Sequence, residues 1–570
     1  MSLRWTVTGS LSLLSVALAL VTACRRTETP GKGAYGACAH VTYDDYSLHA
    51  EILSRFPSLG LGFLRTGITP TKCRKKGVRG WYFQRVDDVL SCAKSNGVEV
   101  LMQVATGGLA CPWREPELWA DFIRSSVRHC RGRVKYWEIW NEPNSSSKIN
   151  PPTPEAYAEV LRTTSALIRA EDPKAVILTA GFSNIPIDYI TRVYAAGTRD
   201  SFDVMNVHPY STWERSWQPN PEGFTEDGIA ELRKVMERFG DAGKPIWITE
   251  TGWATPGRMA FRHADKIRAG IGELVGRREA PLRVLVADNA CDRRPEDGPV
   301  PFADALRKVI PTGSEVTWCT CDALRVSITN GFDVVFLTPF NVFYPADAED
   351  ALLDFVAKGG ILVETGGKPF GRPYGNATDG GRRMRARLKA AAQGTNMLEV
   401  VRGPGKGGTV VGRWNELEGL DCPVAITESD QARFLPRMAL LSMQCGVEKF
   451  LFYRLDSHDY DQNRHHWGVY HSDFTEKPVV ASWRAFVKMR PARAIPDGGR
   501  WRDAERGLYF PSWRNPDGTC GGAIWCARGR TSFPSVAPQN AVYYDHKGEV
   551  LKGSPADATE DVVYWRTPFE

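Results

Sequence analysis

Tyr136-Trp137-Glu138-Ile139-Trp140-Asn141-Glu142-Pro143-Asn144 is a short apolar run that ends on a carboxylate followed by proline. Pro245-Ile246-Trp247-Ile248-Thr249-Glu250-Thr251-Gly252-Trp253 has the same shape. Each reads as a few residues of buried strand, then a Glu, then a chain breaker. Outward from these two, apolar runs at 35–40, 60–66, 98–104, 134–140, 175–181, 203–208 and 245–250 alternate with helical patterns. Val86, Val89 and Leu90 repeat at helical spacing. Thr153-Pro154 is an N-cap with proline at the first helical position, ahead of Tyr157, Val160, Leu161 and Ile168 on one face. Strand–helix units in such a series predict a parallel sheet with crossover helices. The natural closure is a (β/α)8 TIM barrel, an α/β fold, with one strand still to find.

The missing strand lies far downstream, at Glu448–Arg454 (EKFLFYR). Before it comes a helix capped by Thr427-Glu428-Ser429-Asp430, and after it a helix that starts at Pro478. Between them and the seventh strand, runs at 282–288, 333–338 and 360–364 and a helix at 348–357 predict a small α/β domain inserted into the barrel. Its pattern resembles flavodoxin-like, amidotransferase-like or trimerisation-like domains. An amidotransferase needs a Gly-x-Cys-x-Gly elbow, which is absent, so no second activity is expected. Such a domain is placed to wall the cleft or to make a homo-oligomer contact. From 493 on, Trp501, Tyr509, Trp513, Trp525, Tyr543, Tyr544 and Trp565 are interleaved with Gly, Pro and Asp turns, which predicts a β-sandwich. The chain therefore divides into a leader (1–24), a linker (25–34), a barrel (35–258 and 424–492), an inserted domain (259–423) and the sandwich (493–570).

The leader has its own chemistry. Arg4 precedes an apolar stretch from Leu11 to Val21, too short for a comfortable membrane span. Val21-Thr22-Ala23-Cys24 resembles a bacterial lipobox, which implies lipidation at Cys24 after cleavage. Arg25 follows instead of Asp, the pattern that permits sorting to an outer membrane where a second membrane exists. The expectation is a lipid-anchored, extracytoplasmic protein. The net charge of +6 over 570 residues is too weak to argue for nucleic acid. An oxidising compartment allows disulfides. Cys92 with Cys130 and Cys73 with Cys111 are the candidate pairs, with buried free thiols as the alternative. No CxxC pair suggests zinc.

Function follows from where the two strands end. A barrel places its active site at the C-terminal ends of its strands. Strands four and seven lie across the mouth from one another, so Glu142 and Glu250 can face one pocket. Two such carboxylates are what glycoside hydrolysis requires: one protonates the leaving oxygen and the other attacks or activates water. The W-N-E-P-N and I-T-E-T-G-W motifs are similar to those of clan A glycoside hydrolases, and the likeness spans 35–258 and 424–570 in order. Within the clan, the β-xylosidase and α-L-iduronidase family, with its trailing sandwich, is the nearest resemblance.

That resemblance implies a retaining double displacement, with Glu142 as acid/base and Glu250 as nucleophile. It assigns Arg65 beside the nucleophile, Asn141 to the sugar 2-hydroxyl, and His208 and Tyr210 to the same site. Arg65 and Tyr210 are expected to donate to Glu250, while Glu142 is less supported by positive charge. The clan usually has Trp at the end of strand eight; here Phe452-Tyr453-Arg454 stands there, so Tyr453 is the candidate sugar platform. Trp253 and His40 are further candidate contacts, as are Trp113, Trp213 and Trp217 in loops at the catalytic face. Glu138 is read as structural. The polar loop 457–467, with His458, Asp459, Asp461, Asn463, His465 and His466, follows no metal-ligand spacing and is read as a contact for sugar hydroxyls. No metal or organic cofactor is implied. Two alternatives remain: a transglycosylase using the same pair, and a surface glycan-binding lipoprotein on an inactive barrel.

Overall fold

The computed structural model describes residues 33–568, except 78, 146, 148–149, 212–219, 256–259, 262–263, 277–279, 288–304, 320, 322, 338–346, 365–397, 403–407, 413–416, 419–426 and 458–465. The leader with Cys24, Trp213, Trp217 and most of the polar loop lie outside the described residues.

Eight parallel strands close the barrel. In chain order they are Tyr35–Cys38, Phe63–Ile68, Glu99–Val104, Tyr136–Ile139, the pair Val176–Leu178 and Phe182–Ser183, Met205–His208, Ile246–Ile248 and Val447–Phe452. The fifth is in two pieces because it is broken around Thr179–Gly181: its first half pairs with strand four and its second with strand six. The first and eighth strands pair in register Tyr35↔Phe450, which joins the two distant parts of the chain. The Asn141↔Gly181 and Leu178↔Val204 bridges complete the circle around strand five.

Alternation along the strands builds the barrel interior in layers. Phe63, Leu101, Tyr136, Leu178, Trp247 and Leu451, one from each of six strands, pack with Val204 just ahead of strand six as an apolar floor. Two residues further along, side chains return to the same interior face. Phe63 leads to Arg65, Tyr136 to Glu138, Val204 to Asn206 and then His208, Trp247 to Thr249, and Leu451 to Tyr453. The polar layer at the mouth is thus dictated by strand register above a dry floor.

The helices outside the barrel are fixed by local signals. Thr153 accepts from Ala156 N (3.1 Å) to start Pro154–Glu171. Thr427 and Asp430 form a reciprocal capping box at the start of Glu428–Gln444. Among the described residues no helix is long and apolar enough to cross a membrane.

The chain between strands seven and eight forms a separate six-stranded sheet, in spatial order Glu315–Cys319, Arg283–Ala287, Val334–Leu337, Ile361–Glu364, Gly408–Gly412, Leu398–Arg402. The last strand is antiparallel to its neighbour. This sheet has its own apolar clusters on its two faces. Ala260–Phe261 pairs antiparallel with Leu417–Glu418, so the chain leaves and rejoins the barrel at one place. Sequence patterning named three of the six strands. Glu315–Cys319 escaped because it is an edge strand with alternating exposure, and the other two are interrupted or flanked by Gly or charge.

The C-terminal segment is all-β, with a seven-stranded sheet and a two-stranded companion. Its Tyr509, Trp513, Trp525 and Tyr564 join the main barrel core and do not face solvent. The cysteines follow the free-thiol alternative. Cys73, Cys92, Cys111 and Cys130 are all free, so neither proposed disulfide is present. Cys73 and Cys130 instead pack as small apolar side chains in the barrel core, and burial pushes both thiols up to about 12.

Candidate active site

The C-terminal mouth of the barrel holds one continuous hydrogen-bonded network. Arg65 is nearly buried and is its hub. Its Nε and one terminal nitrogen donate to the two Glu138 oxygens at 2.7 Å each, a bidentate pair deep in the barrel. The same guanidinium donates to Asn141 Oδ1 (2.7 Å) and Glu250 Oε2 (2.7 Å). Burial works against this charge, but Glu138 first, then Cys38 and Glu250, outweigh it and hold the Arg65 pKa well above its ordinary value. Glu138 also accepts from Gly181 N (3.2 Å). It is structural in the specific sense that it aims Arg65.

Glu250 stands two residues beyond Ile248, the last paired residue of strand seven. Its second oxygen accepts from Tyr210 Oη at 2.6 Å, so both oxygens are engaged. Burial, followed by the charges of Glu250 and Glu142, raises the Tyr210 phenol well above its usual pKa and keeps it a donor. Glu142 is less restrained. Its side-chain contact is Oε1 to His208 Nδ1 at 3.1 Å. The side chain is 22% exposed, against 13% for Glu250 and none for His208. One oxygen of Glu142, one of Glu250 and a ring nitrogen of His208 all lie within 4.8 Å of one another.

The orientation of His208 is set from below. Asn206 directs Nδ2 toward Thr179 O, so its Oδ1 faces Thr249. The Thr249 hydroxyl donates to that Oδ1 (2.9 Å) and is left to accept from His208 Nε2–H (3.0 Å). Nδ1 is then the atom turned to Glu142. The ring fits only because residue 181 is glycine: a Cβ there would lie 1.8 Å from His208 Nε2.

The backbone around Glu142 is strained. Trp140 and Glu142 have φ of 80° and 42°, a region that non-glycine residues rarely adopt and that costs about 1–3 kcal/mol each. Glu142 N donates to Gly181 O (3.1 Å). Asn150 Nδ2 donates to Glu142 O (2.9 Å), and Asn150 Oδ1 accepts from Trp140 Nε1 (3.1 Å). Asn150 therefore clamps the turn that presents the carboxylate.

An aromatic wall lines strands one, six and eight. His40 stacks on Tyr43 (centroids 4.9 Å) and lies 5.8 Å from Tyr453. Burial, with Arg454 and Arg65 adding repulsion, lowers the His40 pKa to about 3. Tyr453 is partly exposed, and its phenol is raised by burial and then by Glu250. Beneath this wall Arg454 pairs with Asp45 (2.5 Å) and Asp456 (2.9 Å), and Asp45 also accepts from His40 N (3.2 Å).

The structure thus brings together Glu142, Glu250, Arg65, Asn141, His208, Tyr210, Tyr453 and His40. Trp253 is a correction. It is 1% exposed, packs against Phe434 (5.4 Å) and belongs to the core, so it offers no ring to a sugar. Trp113 sits at the rim, 36% exposed against the buried Trp140. Sequence reasoning passed over Asn150, Gly181, Thr249 and Tyr43. Only Thr249 carried a readable signal, since it stands one residue before Glu250 on the interior face.

The cluster of Glu142, His208 and Glu250 has the residue types of a metal site, but its chemistry does not suit a cation. Both Glu250 oxygens already accept from protein donors, and the Arg65 guanidinium lies against it.

Residues 29–269 match the family model described as cellulase, glycosyl hydrolase family 5. Fold, paired carboxylates and this match support a glycoside hydrolase of clan A. Among solved structures, the chain is similar to a family 39 glycoside hydrolase from Bacteroides cellulosilyticus WH2. That likeness has a TM-score of 0.52 and 13% identity, and covers 94% of this chain and 81% of the other. It is also similar to a family 39 β-xylosidase from Caulobacter crescentus (TM-score 0.44, 10% identity, 94% and 96% covered). An α-L-arabinofuranosidase from Thermotoga maritima gives TM-score 0.45, 10% identity, and 94% and 96% coverage. No curated protein matches the chain significantly.

Proposed function

We propose that the protein is a retaining O-glycosidase acting on an oligo- or polysaccharide by double displacement. The observation that carries this reading is the spacing of the two carboxylates, whose nearest oxygens lie within 4.8 Å. An inverting pair stands roughly 6.5–9.5 Å apart to admit water between, whereas a retaining pair stands about 5–5.5 Å apart. Glu250 attacks the anomeric carbon as the leaving oxygen takes a proton from Glu142. Water then attacks the glycosyl–enzyme bond, gives its proton to Glu142 and releases Glu250. Arg65 and Tyr210 hold the Glu250 oxygens in place for attack, and Asn141 is supported as the 2-hydroxyl contact by its position between Arg65 and Glu142.

Proton NMR of the first product formed from an aryl glycoside tests the assignment. Retention of anomeric configuration is expected; an inverted first product contradicts it. The leader sequence supports a second proposal, a lipid anchor at Cys24 outside the cytoplasm. Palmitate labelling that is lost in Cys24→Ala is expected, and labelling unchanged by that substitution contradicts it.

A further inference from the structure

Between Thr69 and Arg85 the chain carries six cationic side chains, Lys72, Arg74, Lys75, Lys76, Arg79 and Arg85, and no carboxylate. The net charge of the whole chain is +6, so the rest of it is balanced. A solvated face ordinarily mixes both signs, whereas a surplus gathered in one segment creates a local field. All six residues are exposed. Among the described residues, only Lys72 of the six pairs with a carboxylate, Asp44 at 3.0 Å.

The segment connects strand two, which carries Arg65, to the helix Gln84–Ser95, so it opens at the C-terminal mouth of the barrel. It is fixed to both neighbouring connections. Thr71 Oγ1 donates to Gly107 O (2.7 Å) beyond strand three, and Lys72 reaches Asp44, next to Tyr43 of the aromatic wall. Tyr82 N donates to Cys73 O (2.7 Å) and closes the loop at its neck. Rings, not carboxylates, hold two of the cations. The Arg74 guanidinium lies 4.5 Å from the Trp81 centroid, and Lys75 Nζ lies 4.3 Å from that of Tyr82. Trp81 is itself anchored, since its Nε1 donates to Asp121 (2.8 Å) and its ring packs edge-on against Phe122 (4.9 Å). A ring positions a cation without cancelling its charge.

We propose that this loop is a binding rim for acidic groups, and that the polymer entering the pocket is a polysaccharide bearing carboxylates or sulfate esters, not a neutral one. The proposal rests on the glycosidase reading of the pocket. The arginines inside the mouth are already paired, Arg65 with Glu138 and Glu250 and Arg454 with Asp45 and Asp456. The positive charge open to a ligand therefore lies on the rim, where it meets the units flanking the reacting sugar. Exposed charges beside a cleft steer a charged chain into it and select against uncharged competitors.

The test combines Arg74→Gln, Lys75→Gln, Lys76→Gln and Arg79→Gln in one variant. A control of equal charge carries Arg124→Gln, Arg131→Gln, Lys174→Gln and Arg238→Gln, which are exposed elsewhere. Equal thermal unfolding midpoints show that both folds are intact. Binding is measured by biolayer interferometry on polygalacturonate, which reports carboxylates, on dextran sulfate, which reports sulfate esters, and on uncharged dextran. Wild type should bind at least one acidic polymer about 10-fold or more tightly than dextran in about 0.05 M salt, and lose most of that preference by about 0.5 M. The rim variant should bind about 10- to 100-fold more weakly, and the control within about 3-fold of wild type. Equal losses in the two variants, or no binding of either acidic polymer by wild type, overturn the proposal. Rim-dependent binding that is tighter to phosphatidylglycerol vesicles or to DNA than to either polymer also overturns it. Release of reducing ends separates this proposal from the reading beneath it. Hydrolysis should favour acidic polysaccharides. Hydrolysis confined to neutral ones refutes the rim's role and leaves the glycosidase standing. Rim-dependent binding with no hydrolysis of any polysaccharide upholds the rim and counts against the glycosidase.

Discussion

Two of the buried arginines that sit among carboxylates, Arg437 and Arg65, do opposite work. Arg437, on the helix Glu428–Gln444, pairs with Glu222 at 2.6 Å, with both side chains sealed from solvent. Trp525 Nε1 donates to the same Glu222 (2.8 Å), and Arg437 also donates to Ala527 O (3.0 Å). Every partner there is structural, and the cluster welds the C-terminal sheet to the barrel. Arg65 is buried to nearly the same degree, but only half of its network is closed. Glu138 takes two of its bonds in the dry interior, while Glu250 carries the charge up to an accessible surface opposite Glu142. Burial and charge alone do not mark a site. The distinguishing feature is an ion pair that surfaces, facing a second carboxylate with few restraints.

Substitutions at the two clusters should separate accordingly, and the largest effect belongs to the mouth. Glu250→Ala should lower kcat by at least about 10⁴-fold in steady-state assays, with unfolding free energy nearly unchanged. Azide should restore turnover with inverted product. Appreciable activity in purified Glu250→Ala would erase the contrast. Glu142→Gln should cost about 10²- to 10⁴-fold on substrates with poor leaving groups, and far less on activated aryl glycosides that need no proton. An equal loss on both would assign Glu142 another role.

At the interface the pattern reverses. Glu222→Ala leaves Arg437 buried without its partner and should lower the unfolding free energy by about 3–5 kcal/mol in urea titrations. The folded fraction should keep kcat/KM. Stability unchanged by this substitution would mean that the interface ion pair is not the weld described here.

The smallest effect is a slope. The folded pKa of His40 is about 3, whereas in the unfolded chain it is about 6.5. Above about pH 6.5 both states are neutral and stability is complete; from there down to about pH 3 only the unfolded state takes the proton, so stability falls. The residue as a whole is only partly buried, which trims the size of the effect. His40→Gln should flatten this acid-side decline in unfolding free energy, and an identical decline in both proteins would contradict the burial of the imidazole.

Much of this contrast is legible in sequence. Apolar runs alternating with helical patterns, and the Glu that ends strands four and seven, locate the barrel and the candidate pair, because a barrel gathers its strand ends at one mouth. Arg65, Asn141, His208 and Tyr210 followed from motif likeness. What escaped depends on contacts distant in sequence. Nothing near Gly181 announces that His208 will lie against it, and nothing near Asn150 says that it will clamp Glu142. Trp253 failed for the converse reason. Its place after Glu250 suggests a sugar contact, but the chain turns its ring toward Phe434 and the core. The supposed disulfides failed because cysteines in neighbouring elements can serve as packing groups as readily as cross-links.

The most direct test of the central claim is covalent trapping of wild type with a 2-deoxy-2-fluoro aryl glycoside, followed by peptide mass mapping. The account predicts one added glycosyl group, on the peptide that contains Glu250 and at that carboxylate. A label on any other residue, or hydrolysis of the reagent with inversion and no covalent adduct, would contradict it.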